Sequence, residues 1–174
     1  GLEKGGITSD NFIILTKRDI SSLEDIKGDH VLVTSDNSEA AQKADLIILA
    51  VQPAQLPGVL EGIQPVLDPA KHTIISVATA VSIAQMTDII GKEFAVIRAM
   101  PNTAIAVLES MTCIAVNDHG GGKIEEVQKI FNCVGKTMVI HEEMMQAATV
   151  VCASGIACWM RFIRATTQGG VQIG

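Results

Sequence analysis

The chain has 174 residues, 48% of them hydrophobic and 18% charged, with a formal net charge of −6. That length suits one domain of ordinary size, or one domain and part of a second, with ample apolar material for a core. Basic residues are scattered and aromatics make up only 3%, so the basic stripes and stacking platforms of a nucleic-acid binder are missing and no nucleic-acid partner is expected.

The opening stretch, GLEKGG at residues 1–6, reads as the end of a helix closed by a glycine cap. Short apolar runs rich in β-branched residues then recur at 11–16, 30–34, 45–51, 72–78, 94–100, 111–116 and 136–140. Most lack strict alternation, as strands covered on both faces do. Helical patterns fall between them. A short helix at 38–44 is expected with Asn37 or Ser38 as its cap. Leu56, Val59, Leu60, Ile63 and Leu67 repeat at helical spacing behind Pro53. Ser82 and Gln85 have the spacing of a capping box, and Gly91 stands where a C-terminal cap would. Ile124, Val127, Phe131 and Val134 make a further stripe, closed by Gly135.

Strand–helix alternation of this kind predicts a doubly wound, mainly parallel α/β sheet of the Rossmann type over 1–140. From about Glu142 the pattern becomes one helical segment, running to about Gln168 and ended by Gly169-Gly170. Residues 141–174 are therefore expected to begin a second, all-helical domain. The mean hydropathy is +0.35, and the most apolar stretch is 144–160. That stretch is shorter than the ~20 residues a membrane span requires. Its small residues Ala153, Ser154, Gly155 and Ala157 favour a subunit interface instead, and no membrane is expected. Four cysteines form no C-x-x-C pair and no metal-like grouping with histidine, which suits reduced thiols in a cytoplasm and no metal site.

In a doubly wound sheet, ligands bind beyond the carboxyl ends of the strands. Lys17 and Arg18 close the first run, with Asp19 beyond them. Cations there suit a ribose 2′-phosphate, so NADP is favoured over NAD. Ala50 to Pro53 follow the third run. Arg98 and the Pro101-Asn102-Thr103 turn end the fifth, with Ser110-Met111-Thr112 close behind. Arg161 and Arg164 share a helix face, suited to a carboxylate but more readily a solvated surface. No G-x-G-x-x-G, serine triad or paired-carboxylate site stands out, which favours a reaction whose chemistry a cofactor supplies.

The stretches DNSEAAQKADLIILAVQP, IISVATAVSI, IRAMPNTAIAVLESMT and SGIACWMRFIRATTQGGVQIG closely resemble pyrroline-5-carboxylate reductase. The resemblance covers essentially the whole chain. It implies a Rossmann domain that binds NADPH, or less often NADH. It also implies a helical domain, here the 142–168 helix, that forms an intertwined homodimer and completes the substrate site. Hydride would pass to the imine carbon of L-1-pyrroline-5-carboxylate, giving L-proline. On this resemblance Asn37 contacts the adenosine part, and Val51, Gln52 and Pro53 line the cofactor. Ala78 and Thr79 face the nicotinamide side, Asn102 lies near nicotinamide and substrate, and Ser154 and Gly155 match part of a Ser-Gly-Ser-Gly-Pro substrate segment.

The chain departs from that pattern at Gln52, where the family usually has lysine, and at Ala104, where it usually has proline. It departs again at Glu109-Ser110 and at Cys152 to Ile156. The family's glycine-rich first turn would precede Gly1, and its threonine at the imine nitrogen would follow Gly174, so no catalytic residue is assigned. The alternatives are a non-catalytic dimerising fragment that binds NADPH poorly, and a related NADP-dependent reductase acting on another imine or a hydroxy acid.

Overall fold

The computed structural model describes residues 6–7, 11–26 and 28–174. Of the glycine-capped opening, all but Gly6 lies outside the described residues. Each of the seven apolar runs forms a strand. β1 (Ile13–Thr16) and β2 (Val31–Thr34) pair in parallel as a two-stranded sheet. β3 (Leu46–Leu49), β4 (Thr73–Ser76), β5 (Ala95–Met100), β6 (Ser110–Val116) and β7 (Gly135–Val139) form a five-stranded sheet in that order. β3, β4 and β5 run parallel, β6 runs against β5, and β7 follows β6 in parallel. The fold is a doubly wound, mainly parallel α/β structure followed by a long helix.

Among the described residues four short α-helices lie between strands, α1 (Asn37–Lys43), α2 (Leu56–Ile63), α3 (Ile83–Ile90) and α4 (Ile124–Asn132), while 3-10 turns join β1 to β2 and β5 to β6. The cap of α1 is Asp36, not Asn37 or Ser38: its carboxylate accepts from the Ser38 and Glu39 amides at 2.9 and 3.0 Å. Asp36 has the extended backbone a cap requires, whereas Asn37 is already helical. Pro65 limits α2: the chain tightens into a 3-10 turn at Gln64–Val66, so Leu67 falls outside the helix. Ser82 and Gln85 form the expected capping box on α3, and Gly91 ends it with φ of +118°.

Gly135 does not cap α4, whose last residue is Asn132 and whose C-cap is Cys133; it opens β7 with φ of +151°. A Cβ there would lie 2.0 Å from the Ser110 carbonyl oxygen, so only glycine lets β7 start against β6.

Alternate residues of β4 and β5 face opposite sides of the sheet. Ile74 and Val96 pack with Leu56, Leu60 and Met86 of α2 and α3. Ile75, Ile97 and Ala99 pack with Val127 and Phe131 of α4. Met100, Cys113 and Ala115 meet Met145 and Cys152, where the C-terminal helical segment crosses the sheet. The chain leaves β7 at Val139 and is helical from Glu142 onward, through α5 (Met145–Ala148), a π-helical turn at Thr149–Ser154, and α6 (Gly155–Ile173). Gly169-Gly170 does not end α6, because a helix pays only about 1 kcal/mol per glycine relative to alanine. The continuous helical stretch of 32 residues, Glu142–Ile173, is long and apolar enough to cross a membrane by length and composition. This corrects the shorter stretch expected from the sequence.

Candidate functional site

The strand register fixes where the candidate residues go. Leu49, Ser76 and Arg98 lie in one row across β3, β4 and β5, so the chain leaves all three strands at one rim of the sheet. Val51 to Pro53, Ala78 with Thr79, and Asn102 all follow that row within a few residues. β1 and β2 also end in register, Thr16 opposite Thr34, and the Lys17 amide donates to the Thr34 carbonyl at 3.3 Å. Lys17 and Arg18 therefore stand beside the loop that enters α1 at Asn37. Parallel strands with their exits on one side assemble this rim without side-chain help.

Arg18 and Asn37 are exposed. Lys17 Nζ donates to Ser22 Oγ at 2.7 Å. Asp19 accepts the Ser21 amide at 3.0 Å, and hydrogen bonds from Ser21 hold its carboxyl below the usual range. One oxygen of the Asp19 carboxylate is thus engaged within its own loop. Gln52 is exposed, caps nothing with its side chain, and precedes Pro53, which opens a 3-10 turn at Pro53–Gln55. Ala78 is buried, its amide donating to Ser76 Oγ at 3.2 Å, and Thr79 is exposed. Next to them Ala80 has φ of +61°. A non-glycine residue in that region costs of order 1 kcal/mol or more and commonly marks a functional turn.

Asn102 is buried and turns back on the chain: its Oδ1 accepts from the Ala104 amide at 3.0 Å. Its Nδ2 donates across to the Cys152 carbonyl at 2.8 Å. That bond brings the strand-end turn against the helical segment bearing Ser154 and Gly155. The rim residues and the helix residues, which the sequence assigns separately, meet here. Ser154 Oγ donates to the Thr149 carbonyl at 3.2 Å. Arg161 and Arg164 are exposed and join neither group.

Two contacts were not anticipated from the sequence. Arg98 does not line the rim as a free cation; its Nη1 donates to Glu142 Oε1 at 2.9 Å. The same oxygen accepts the Ile83 amide, at the start of α3, at 2.7 Å. Glu142 thereby ties the start of the long helical segment to β5 and to the positive end of a helix. The available signal was an arginine inside a strand whose other positions are all apolar, since a charge so placed needs a buried partner. The Asn102 bond to Cys152 left no such signal, because its acceptor is a backbone carbonyl.

Cys113, buried on β6, has its thiol pushed up to about 11, first by burial and then by the neighbouring Cys152. It is a neutral space-filling group. Among the described residues no group of three or more His, Cys, Asp or Glu side chains is placed to hold a metal.

Residues 1–80 match the family model described as NADP oxidoreductase coenzyme F420-dependent. Over 99% of its length the chain is 38% identical to pyrroline-5-carboxylate reductase 1 of Dictyostelium discoideum, covering 34% of that protein. It is 37% identical to pyrroline-5-carboxylate reductase 2 of the same organism over its whole length, covering 63% of that relative. The chain thus spans a third to somewhat under two thirds of these relatives. Among solved structures, it is similar to a pyrroline-5-carboxylate reductase from Coxiella burnetii, with a TM-score of 0.89 and 27% identity over 97% of this chain and 65% of the other. It is also similar to the Plasmodium falciparum pyrroline carboxylate reductase solved with NADP bound, with a TM-score of 0.76 and 26% identity over 98% of this chain and 64% of the other.

Proposed function

We propose that the chain, which resembles pyrroline-5-carboxylate reductases along its whole length, serves the NADPH-dependent reduction of L-1-pyrroline-5-carboxylate to L-proline. The observation that carries this reading is the convergence on one rim of Val51 to Pro53, Ala78 with Thr79, and Asn102, the last tied to the helix that bears Ser154 and Gly155. Residues 1–140 act as the nucleotide-binding domain, and 141–174 open the helical dimerisation domain.

NADPH, or NADH less readily, supplies the hydride that reaches the imine carbon. The chain's own residues fit such a group. Lys17 and Arg18 offer positive charge to a ribose 2′-phosphate. Asn37 offers its amide to the adenosine part. Val51, Gln52 and Pro53 give the cofactor a backbone wall, Ala78 and Thr79 border the nicotinamide, and Asn102 stands where nicotinamide and substrate meet. Ser154 and Gly155 close the substrate side. A cytoplasmic setting accords with four free cysteines.

The homodimer forms through the 142–168 helical segment, where Val151 of the π turn and Trp159, Met160, Phe162 and Ile163 of α6 are exposed. Such a stripe on one chain demands a cover. A second copy is a better cover than lipid, since Arg161, Arg164 and Gln168 interrupt the stripe.

The test is a fluorescence titration with NADPH, then NADPH oxidation with L-1-pyrroline-5-carboxylate present. Binding and turnover are expected. A stable dimer that neither binds NADPH nor turns over would replace this reading with a non-catalytic dimerising role, which the exposed α6 independently favours.

A further inference from the structure

A buried polar string crosses the seam between the sheet and the helix. Thr112 Oγ1 and Ser110 Oγ share a hydrogen bond at 3.3 Å on β6. Ser110 Oγ accepts the Asn102 amide at 3.1 Å, and Asn102 Nδ2 donates to the Cys152 carbonyl at 2.8 Å. These residues lie among apolar neighbours, with Thr112 0%, Ser110 1% and Asn102 9% exposed. Each hydroxyl and amide in the string has a partner, the condition under which a buried network specifies one arrangement.

The acceptor at the end of the string lies within the π-helical turn Thr149–Ser154. A π turn holds one residue more than an α turn, so it can migrate along a helix unless something fixes it. Two features fix it here. The Gly155 amide reaches the Val150 carbonyl, and a Cβ at Gly155 would lie 2.5 Å from that oxygen, so only glycine permits the closure. From outside, the Asn102 amide binds the Cys152 carbonyl. Within the same stretch Thr149 Oγ1 donates to the Met145 carbonyl at 2.7 Å and Ser154 Oγ to the Thr149 carbonyl at 3.2 Å.

We infer that Asn102 is a positioning residue: through the Thr112–Ser110–Asn102 string it holds the π turn in register with the end of β5, and so sets where Ser154 and Gly155 stand. This rests on reading that wall as the substrate side of a reductase site. Asn102 thus acts on substrate through the helix, one of its two amide hydrogens being taken by the Cys152 carbonyl.

The test compares Asn102→Asp and Asn102→Ala with the parent chain, following amide hydrogen exchange over residues 150–157 by NMR at pH 8 and pH 5. Aspartate keeps the shape and the acceptor for Ala104 but, when ionised, offers no hydrogen to Cys152. A neutral carboxyl can donate, so facing a carbonyl raises its folded-state pKa. The restored bond is therefore present at low pH and lost as pH rises through that pKa. Relative to parent at the same pH, exchange should quicken roughly ten-fold in both variants at pH 8. At pH 5 it should recover in Asn102→Asp alone. In turnover, KM for the imine should rise roughly ten-fold while the NADPH Kd stays within about two-fold. Ser110→Ala, which cuts the string at its middle, should show a smaller rise in exchange and serves if the Asn102 variants do not fold. Unchanged exchange in every variant, or an NADPH Kd that weakens in step with KM, would overturn the proposal. Because exchange is read on the free chain, absence of reductase activity would count against the proposed reaction and leave the string to be decided separately.

Discussion

β4 and β5 on one side, and α6 on the other, are built from similarly apolar residues but meet opposite fates. Every residue of β4 is buried, and in β5 only Arg98 is not fully so. In α6 no residue is buried, and Trp159 and Phe162 are 63% and 69% exposed. The strands lie between helices on both faces of the sheet, supplied by their own chain. The helix projects past the sheet, and none of the described residues buries it. Apolar composition sets a demand for burial; topology decides whether one chain can satisfy it.

The largest effect is expected inside the sheet half. Leu60→Ala, at a position with no exposure between α2 and the sheet, should cost about 3–4 kcal/mol in urea-unfolding free energy through lost burial and the cavity left behind. Gly135→Ala should cost about 3 kcal/mol, since its Cβ would strike the Ser110 backbone. Loss of slow-exchanging amides on β6 and β7 would locate the damage.

At the junction between the two regions, Glu142→Ala should cost about 2 kcal/mol, less than a fully buried pair, because the Glu142 side chain is partly exposed. The double change Arg98→Met with Glu142→Ala should recover part of that loss, since it leaves no unpaired charge. A double change as damaging as the sum of the two single ones would refute the pairing.

A pH scan sharpens the contrast further. His72, buried at the start of β4, accepts the Asp68 amide on Nδ1 at 2.7 Å, and its Nε2 has no hydrogen-bond partner among the described residues. Burial first, then Lys71, holds the imidazole below its usual range, while Asp68 and Asp45 oppose the shift. The unfolded chain therefore takes up the proton first. Stability from His72 is present in full above about pH 6.5 and is lost as pH falls toward the folded-state value. His72→Gln should flatten that part of the stability profile.

The smallest effect on folding is expected in α6. Phe162→Ser should change unfolding free energy by less than about 0.5 kcal/mol in the monomer, yet weaken self-association at least about ten-fold by sedimentation. Destabilisation of the monomer comparable to Leu60→Ala would mean that α6 is covered by its own chain after all.

Much of the sheet half was legible because its signals are local. β-branched runs without alternation mark strands covered on both faces, and the Ser82–Gln85 box acts over a single turn. The cap of α1 falls one or two residues before the expected Asn37 or Ser38 because Asp36, Asn37 and Ser38 are all competent caps. Backbone dihedrals chose among them. Gly135 was mistaken for a helix cap because a positive φ serves a strand entrance as well as a helix exit, and the deciding contact, with Ser110, is 25 residues away along the chain.

The candidate site divides along the same line. Its rim was readable, since residues that follow apolar runs must leave a parallel sheet at the carboxyl ends of its strands. The joining of Asn102 to Cys152 and of Arg98 to Glu142 was not, because both partners are distant in sequence and one is a backbone carbonyl. By itself the sequence determined the order of strands and helices, the composition of the core, and the existence of an apolar helix, all of which follow from periodicity and turn chemistry. The antiparallel placement of β6, the π turn and the string that holds it were decided only by the tertiary structure. Each depends on which distant backbone groups the packed sheet and helix bring within hydrogen-bonding range.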